Sequence, residues 1–154
     1  MKQGAQSENG RVQFREITAD TVREICALSV QENQNLFVTA NATSIAEAYF
    51  SKHAWLRAIY SDSVPVGFIM LDERPEEAEY FLWRFMIDKR FQGRGIGRQA
   101  IQLLLTYVKS RPNSSELFTS VVQAKGGPEA FYKNMGFELT GEYEEGEALM
   151  RITL

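Results

Sequence analysis

Gln92-Gly93-Arg94-Gly95-Ile96-Gly97 decides the fold, because it stands between a long apolar run and a strongly amphipathic segment. The run before it, Tyr80 to Ile87, is apolar at odd and even positions alike, the pattern of a strand buried on both faces. Behind it Ile101, Leu104, Leu105 and Val108 recur at helical spacing, so the glycines mark a strand-to-helix turn. Glycine lets a backbone approach a ligand closely, and the first amides of a helix lack internal partners while carrying the positive end of its dipole. The natural occupant of such a turn is an anion, a phosphate above all.

Spacing narrows the ligand. A P-loop requires a lysine and a hydroxyl after its last glycine, but Gly97 is followed by Arg98-Gln99. A dinucleotide fingerprint requires G-x-G-x-x-G, and Gly93-x-Gly95-x-Gly97 with Ala100 beyond it matches only in part. Alone, the glycines leave open a tight turn that holds nothing. Downstream, however, stands Phe131-Tyr132-Lys133-Asn134-Met135-Gly136-Phe137. A chain with Q-x-x-G-x-G after a buried strand, then an amphipathic helix, a strand near Leu117–Val122 and a helix ending F-Y-x-x-x-G-F resembles the GNAT superfamily of acyl-CoA-dependent N-acetyltransferases. The resemblance runs from about Val12 to the C-terminus and is most specific between Phe85 and Phe137.

Composition agrees with one compact enzyme. The 154 residues are 44% hydrophobic and 12% aromatic, enough for a single domain with a real core. Seventeen Lys and Arg against 20 Asp and Glu give a net charge of −3 with no concentrated basic face, which argues against a nucleic-acid partner. One cysteine, Cys26, excludes an internal disulfide and a Cys-rich zinc site and suits a reducing cytoplasm. No apolar run approaches the ~20 residues of a membrane span, and no membrane association is expected. Residues 1–10 are polar and read as a mobile tail ahead of one domain at 11–154.

The first strand is predicted from Arg11 to Ile17, with a helix after it capped by Thr18 or Asp20 and facing inward with Val22, Ile25, Cys26 and Ser29. After the polar stretch Gln31–Asn35, Ser44-Ile-Ala-Glu47 fits a capping box for a short second helix through Phe50. Trp55–Tyr60 and Val64–Leu71 read as a hairpin turning at Ser61-Asp62-Ser63, and the acidic stretch Asp72–Glu79 links it to the buried strand. Final strands lie near Phe137–Leu139 and Ala148–Thr153. The order β-α-α-β-β-β-α-β-α-β-β predicts an α/β (α+β) domain with a mixed sheet and helices on both faces. The resemblance implies a central sheet of about seven, mostly antiparallel strands.

The resemblance also implies roles. The central strand and its successor splay apart, the backbone of Phe85, Met86 and Ile87 pairs with the pantetheine arm of acetyl-CoA, and amides of Gln92, Gly93, Arg94, Gly95, Ile96, Gly97 and Arg98 hold the pyrophosphate. Arg94 and Arg98 offer charge-assisted phosphate contacts; solvated side chains are the alternative. Met86 or Ile87 is placed to offer a backbone N–H to the oxyanion. Tyr132 is the expected general acid, a phenol that protonates the departing thiolate. No metal is required, and His53, the only histidine, sits in no triad or ligand pattern.

Two positions depart from the family pattern. Many relatives carry a glutamate on the central strand where this chain has Trp83, and an asparagine before the tyrosine where it has Lys125. An alkyl ammonium of pKa ~10.4 is neutral at pH 7 only on the order of one part in a thousand, a burden of roughly 4.6 kcal/mol that a base must relieve. A water relay to Glu79 or Glu73 is the expected substitute. Trp83 reads as an apolar or cation–π wall, or as core, and Lys125 as a phosphate contact or a solvated side chain. Within the superfamily, Gln34-x-x-Phe37-Val38, Ser44–Ala48 and Leu82–Asp88 resemble bacterial spermine/spermidine (diamine) N-acetyltransferases. That likeness implies a polyamine or small diamine acceptor met by Glu32, Gln34 and nearby glutamates. Another small amine, a protein N-terminus or a non-catalytic acyl-CoA sensor are the alternatives. Members are often dimers, and the C-terminal strand is a candidate for pairing across such an interface.

Overall fold

The computed structural model describes residues 11–154; the stretch 1–10, expected as a mobile tail, lies outside the described residues. Seven strands, β1 (Val12–Arg15), β2 (Ala54–Ser61), β3 (Val64–Arg74), β4 (Glu79–Ile87), β5 (Glu116–Val121), β6 (Glu138–Glu144) and β7 (Glu147–Thr153), form one sheet ordered β1-β2-β3-β4-β5-β7-β6. All neighbours are antiparallel except β4 and β5. The helices are α1 (Val22–Ala27), α2 (Asn41–Tyr49), α3 (Ile96–Lys109) and α4 (Glu129–Asn134), so the element order is the one the sequence predicts.

Each face of the sheet carries its own core. On one, α3 lays Ile101, Leu104 and Val108 over Ile69, Leu71, Leu82 and Ile87, and α4 adds Tyr132. Full burial of one such aliphatic side chain is worth about 1.5–3 kcal/mol. On the other face Ile25, Leu28 and Val30 cover Phe68, Met70 and Met86. The central strand β4 serves both, and it is bulged. Met70 pairs with Arg84 and Leu71 with Leu82, leaving Trp83 as the extra residue. A bulge inverts the alternation, so Tyr80 and Leu82 before it and Phe85 and Ile87 after it pack with the same core.

Several local expectations are corrected. Helix α1 is led by Thr21, with Val22 N–H bonded to Thr18 O; neither Thr18 nor Asp20 caps it by side chain. Its inward residues are Ile25 and, past its end, Leu28 and Val30, whereas Cys26 within the helix and Ser29 beyond its end at Ala27 are exposed. Helix α2 starts at Asn41, one turn before the expected capping box. Ser44 is therefore inside the helix, fully buried, and its hydroxyl has no partner. The stretch Asp72–Glu79 is not a linker: Asp72, Glu73 and Arg74 pair with Phe81, Tyr80 and Glu79, and only a 3-10 turn at Pro75–Glu77 separates the strands. The C-terminal strand β7 is paired on both sides, by β5 and β6, so its backbone has no edge left for a second copy.

Candidate active site

Strands β4 and β5 pair only at Phe81 with Phe118 and Leu82 with Thr119, then part. Beyond that point the β5-facing edge of Phe85, Met86 and Ile87 has no strand partner. The gap opens into a cleft of about 1500 Å³ lined by residues of β4, β5, α4, the glycine turn, α2 and the β6–β7 hairpin.

One end of the cleft is the start of α3. Gly93 and Gly95 adopt φ of 77° and 78°, and a Cβ on either would meet nothing within 4 Å. The glycines are needed for the left-handed backbone and leave open space above it. Gly95 is the N-cap and no side chain caps the helix, so the first amides of a 14-residue helix are left to a ligand. Asp88 fixes the turn from behind. It is 2% exposed, and its carboxylate accepts from Ser29 N (2.9 Å), Arg90 N (3.0 Å) and Arg90 Nε (2.8 Å). Burial pushes its carboxyl up, but the bonds from Arg90 and Ser29 overrule burial and hold it below the usual carboxylate range. The Gln92 side chain donates to Ile87 O and to Gln34 Oε1, both at 2.9 Å, and so ties the turn to the 3-10 segment Glu32–Gln34.

Tyr132 lines the cleft where the strands part. The motif around it is a helix-ending device: Phe137 N–H bonds Tyr132 O and Gly136 N–H bonds Lys133 O, both at 3.0 Å, with Gly136 at φ 103°. The Phe137 ring stands edge-on to Tyr132 at 5.3 Å, so the closing contact of the cap also orients the phenol. Tyr132 is 7% exposed. Burial pushes its phenol well above the ordinary tyrosine range, opposed by the Thr119 hydroxyl beside it, so it carries its proton throughout the neutral range.

An uncapped helix start, a splayed parallel pair and a buried phenol meet in one cleft, and residues 17–137 match the acetyltransferase (GNAT) family. The chain belongs to the GNAT acetyltransferases. It is 24% identical over 146 residues to the spermine/spermidine N(1)-acetyltransferase of Bacillus subtilis, covering 90% of this chain and 96% of that protein. Among solved structures, a GNAT family acetyltransferase from Elizabethkingia anophelis with acetyl-CoA bound superposes with a TM-score of 0.69 at 14% identity, covering 96% of this chain and 99% of that one. A spermidine N-acetyltransferase chimera from Vibrio cholerae and hSSAT gives 0.67 at 17%, covering 92% and 94%. As a GNAT N-acetyltransferase, the enzyme draws its acetyl group from acetyl-CoA. Among the described residues no helix is long and apolar enough to cross a membrane.

The other candidates of this acetyltransferase are spread unevenly. Phe85, Met86, Ile87, Gln92, Gly93, Gly95, Gly97, Arg98, Gln34 and Trp83 line the cleft; Arg94, Ile96, Lys125 and Glu32 do not. Arg94 lies over the Phe91 ring at 5.7 Å, and Ile96 turns its side chain into the core, leaving its amide at the helix start. Lys125 is exposed just before Gly126, Gly127 and Pro128, which do line the cleft. Glu73 is not brought to the cleft: it pairs with Arg111 at 3.6 Å and contacts Tyr107, near the far end of α3. Glu79 is exposed at the foot of β4, in a small hollow shared with Trp83 and Glu144.

Sequence reading missed the acidic wall opposite. Glu144, Glu145 and Glu147 reach the cleft from the β6–β7 hairpin, whose two-residue turn Glu145-Gly146 has φ of 50° and 82°. The signal was present, since Glu-Gly between two strand-like runs is a hairpin turn and places its flanking residues together. Glu47 lines the cleft from α2 and is held by Arg84 Nη2 at 3.3 Å.

Proposed function

We propose that this enzyme moves the acetyl group of acetyl-CoA onto a primary amine of a polyamine or small diamine, by direct attack within a ternary complex. One observation carries the reading: a single cleft joins the uncapped start of α3, the parted edges of β4 and β5, Tyr132 and a wall of glutamates. The donor enters at the glycine end. Amides from Gln92 to Arg98 receive its pyrophosphate, Arg98 adds charge, and the free edge of Phe85–Ile87 receives the pantetheine amides. A backbone N–H of Met86 or Ile87 stabilises the oxyanion as the carbonyl carbon becomes tetrahedral. Tyr132 gives its proton to the leaving sulfur.

The acceptor enters from the opposite side, where Glu47, Glu144, Glu145 and Glu147 supply the spaced negative charges that a chain of ammonium groups needs. Trp83, the extra residue of the β4 bulge, lines the cleft and gives the methylene spacers or an ammonium an aromatic wall. The exposed single cysteine suits a cytoplasmic enzyme. Thiol release measured with a panel of polyamines, diamines, monoamines and peptide N-termini tests the reading. Polyamines or diamines are expected to give the highest kcat/KM. Equal rates for monoamines or peptides would remove the polyamine assignment, and binding of acetyl-CoA with no thiol released would mark a sensor.

A further inference from the structure

We propose that Glu147, held by Ser120, is the base that takes the proton from the incoming ammonium. The inference rests on the acetyl-transfer reading and supplies the group that Glu73 and Glu79 are poorly placed to be. Ser120 Oγ bonds Glu147 Oε2 at 3.1 Å, and both residues line the cleft. Ser120 directly follows Thr119, and Thr119 with Leu82 is the last pair before β4 and β5 part. Neighbours on a strand point to opposite faces. The Thr119 hydroxyl is buried, bonds Leu82 O at 3.1 Å and lies beside the Tyr132 phenol. Ser120 points the other way, toward Glu147. A proton donor and a carboxylate therefore flank the same step of β5, at the mouth of the splay, from opposite faces.

The other carboxylates of the cleft are committed or remote. Glu47 is engaged by Arg84, and Glu144 and Glu145 sit exposed at the hairpin tip. With Arg84, Arg98 and Tyr132 these are the titratable and charged groups that share the cleft with Glu147. Ser120 engages one oxygen of Glu147 and leaves the other for an acceptor.

The balance is simple. The ammonium gives one proton to Glu147, and the neutral nitrogen forms the C–N bond to the thioester carbon. The C–S bond breaks, the sulfur departs with the electron pair and takes the Tyr132 proton, and the surplus proton of the nitrogen restores the phenol through solvent. Glu147 then releases its proton, so each turnover yields one amide, one thiol and one proton.

The test compares Glu147→Gln, Glu147→Asp and Ser120→Ala with the full-length wild type across pH, following acetyl-CoA affinity by thermal shift in parallel. Glu147→Gln is expected to lower kcat at pH 7 by roughly 10²–10³-fold with acetyl-CoA affinity intact. The deficit should shrink as pH approaches the ~10.4 of an alkyl amine, and at pH 7 with a weakly basic amine that is already neutral. Glu147→Asp should recover part of kcat, Ser120→Ala should lose less than Glu147→Gln with the same trend in pH, and Glu142→Gln on the same hairpin should leave the rate unchanged. A Glu147→Gln enzyme with wild-type kcat and only a raised KM, or with a deficit that does not change with pH, overturns the assignment alone. Wild-type protein that binds acetyl-CoA and acetylates no amine overturns the transfer reading and this base with it.

Discussion

Two residues show how far a single side chain can be argued. Tyr132 is packed by Phe131 and Phe137 and kept protonated by burial, so removing its oxygen should leave the fold untouched and the chemistry impaired. Tyr132→Phe is expected to lower kcat by about 10²–10³-fold while the acetyl-CoA dissociation constant stays within about twofold, read by single-turnover kinetics and calorimetry. An unchanged kcat would remove the phenol from the mechanism. Asp88 gives a stability prediction with a defined sign. Its carboxyl is held below the ordinary range in the folded protein, so its ionised form favours folding above the unfolded value of ~3.9, and that contribution is lost as pH falls through the lower folded value. Asp88→Asn should therefore cost roughly 1.5–3 kcal/mol at pH 7, the range for hydrogen bonds to a charged group. The difference from wild type should narrow below about pH 4 in denaturant titrations. A gap that persists at pH 2–3 would mean that shape, and not charge, accounts for the loss.

At the scale of elements, the start of α3 is the part on which donor binding turns in the proposed reading. Its N-cap is a glycine with positive φ, and no side chain occupies the orphan amides. Gly95→Glu brings backbone strain, bulk and a negative charge to a position where a Cβ meets only open space, so the core behind it is spared. The variant is expected to stay folded and to lose the acetyl-CoA thermal shift, which in wild type at 100 Kd corresponds to about 2.7 kcal/mol. A full shift in Gly95→Glu would place the pyrophosphate elsewhere. Gly67 acts differently. A Cβ there would lie 2.4 Å from Met86 O, so this glycine lets β3 close onto the working strand.

For the whole molecule, the proposed reading puts donor and acid at α3 and α4, while Glu47 of α2 and the glutamates of the β6–β7 hairpin line the part of the cleft assigned to the acceptor. If the acceptor is the proposed polyamine, a net charge of −3 with glutamates gathered in the cleft predicts that its binding is partly long-range electrostatics. Raising ionic strength from 0.05 to 0.5 M is expected to raise the spermidine KM several-fold while leaving KM for a neutral amine nearly constant. Equal salt dependence for both would show that the carboxylates do not select the acceptor.

The sequence by itself determined the element order, the strand–glycine–helix turn and the paired motif at Tyr132, because each is written in local periodicity and in residues whose backbone needs are unusual. It also showed that Trp83 stands where a glutamate is common, yet not that a bulge makes it the extra residue of β4. Only the tertiary structure decided which carboxylates meet the cleft. Glu73 looked available along the chain, but β3 carries it to Arg111 under the far end of α3. The Glu-Gly turn marked the hairpin that carries Glu147, but its position beside Ser120 arises from strand order: β7 runs between β5 and β6, and residues remote in sequence become neighbours only through the ladder that joins them.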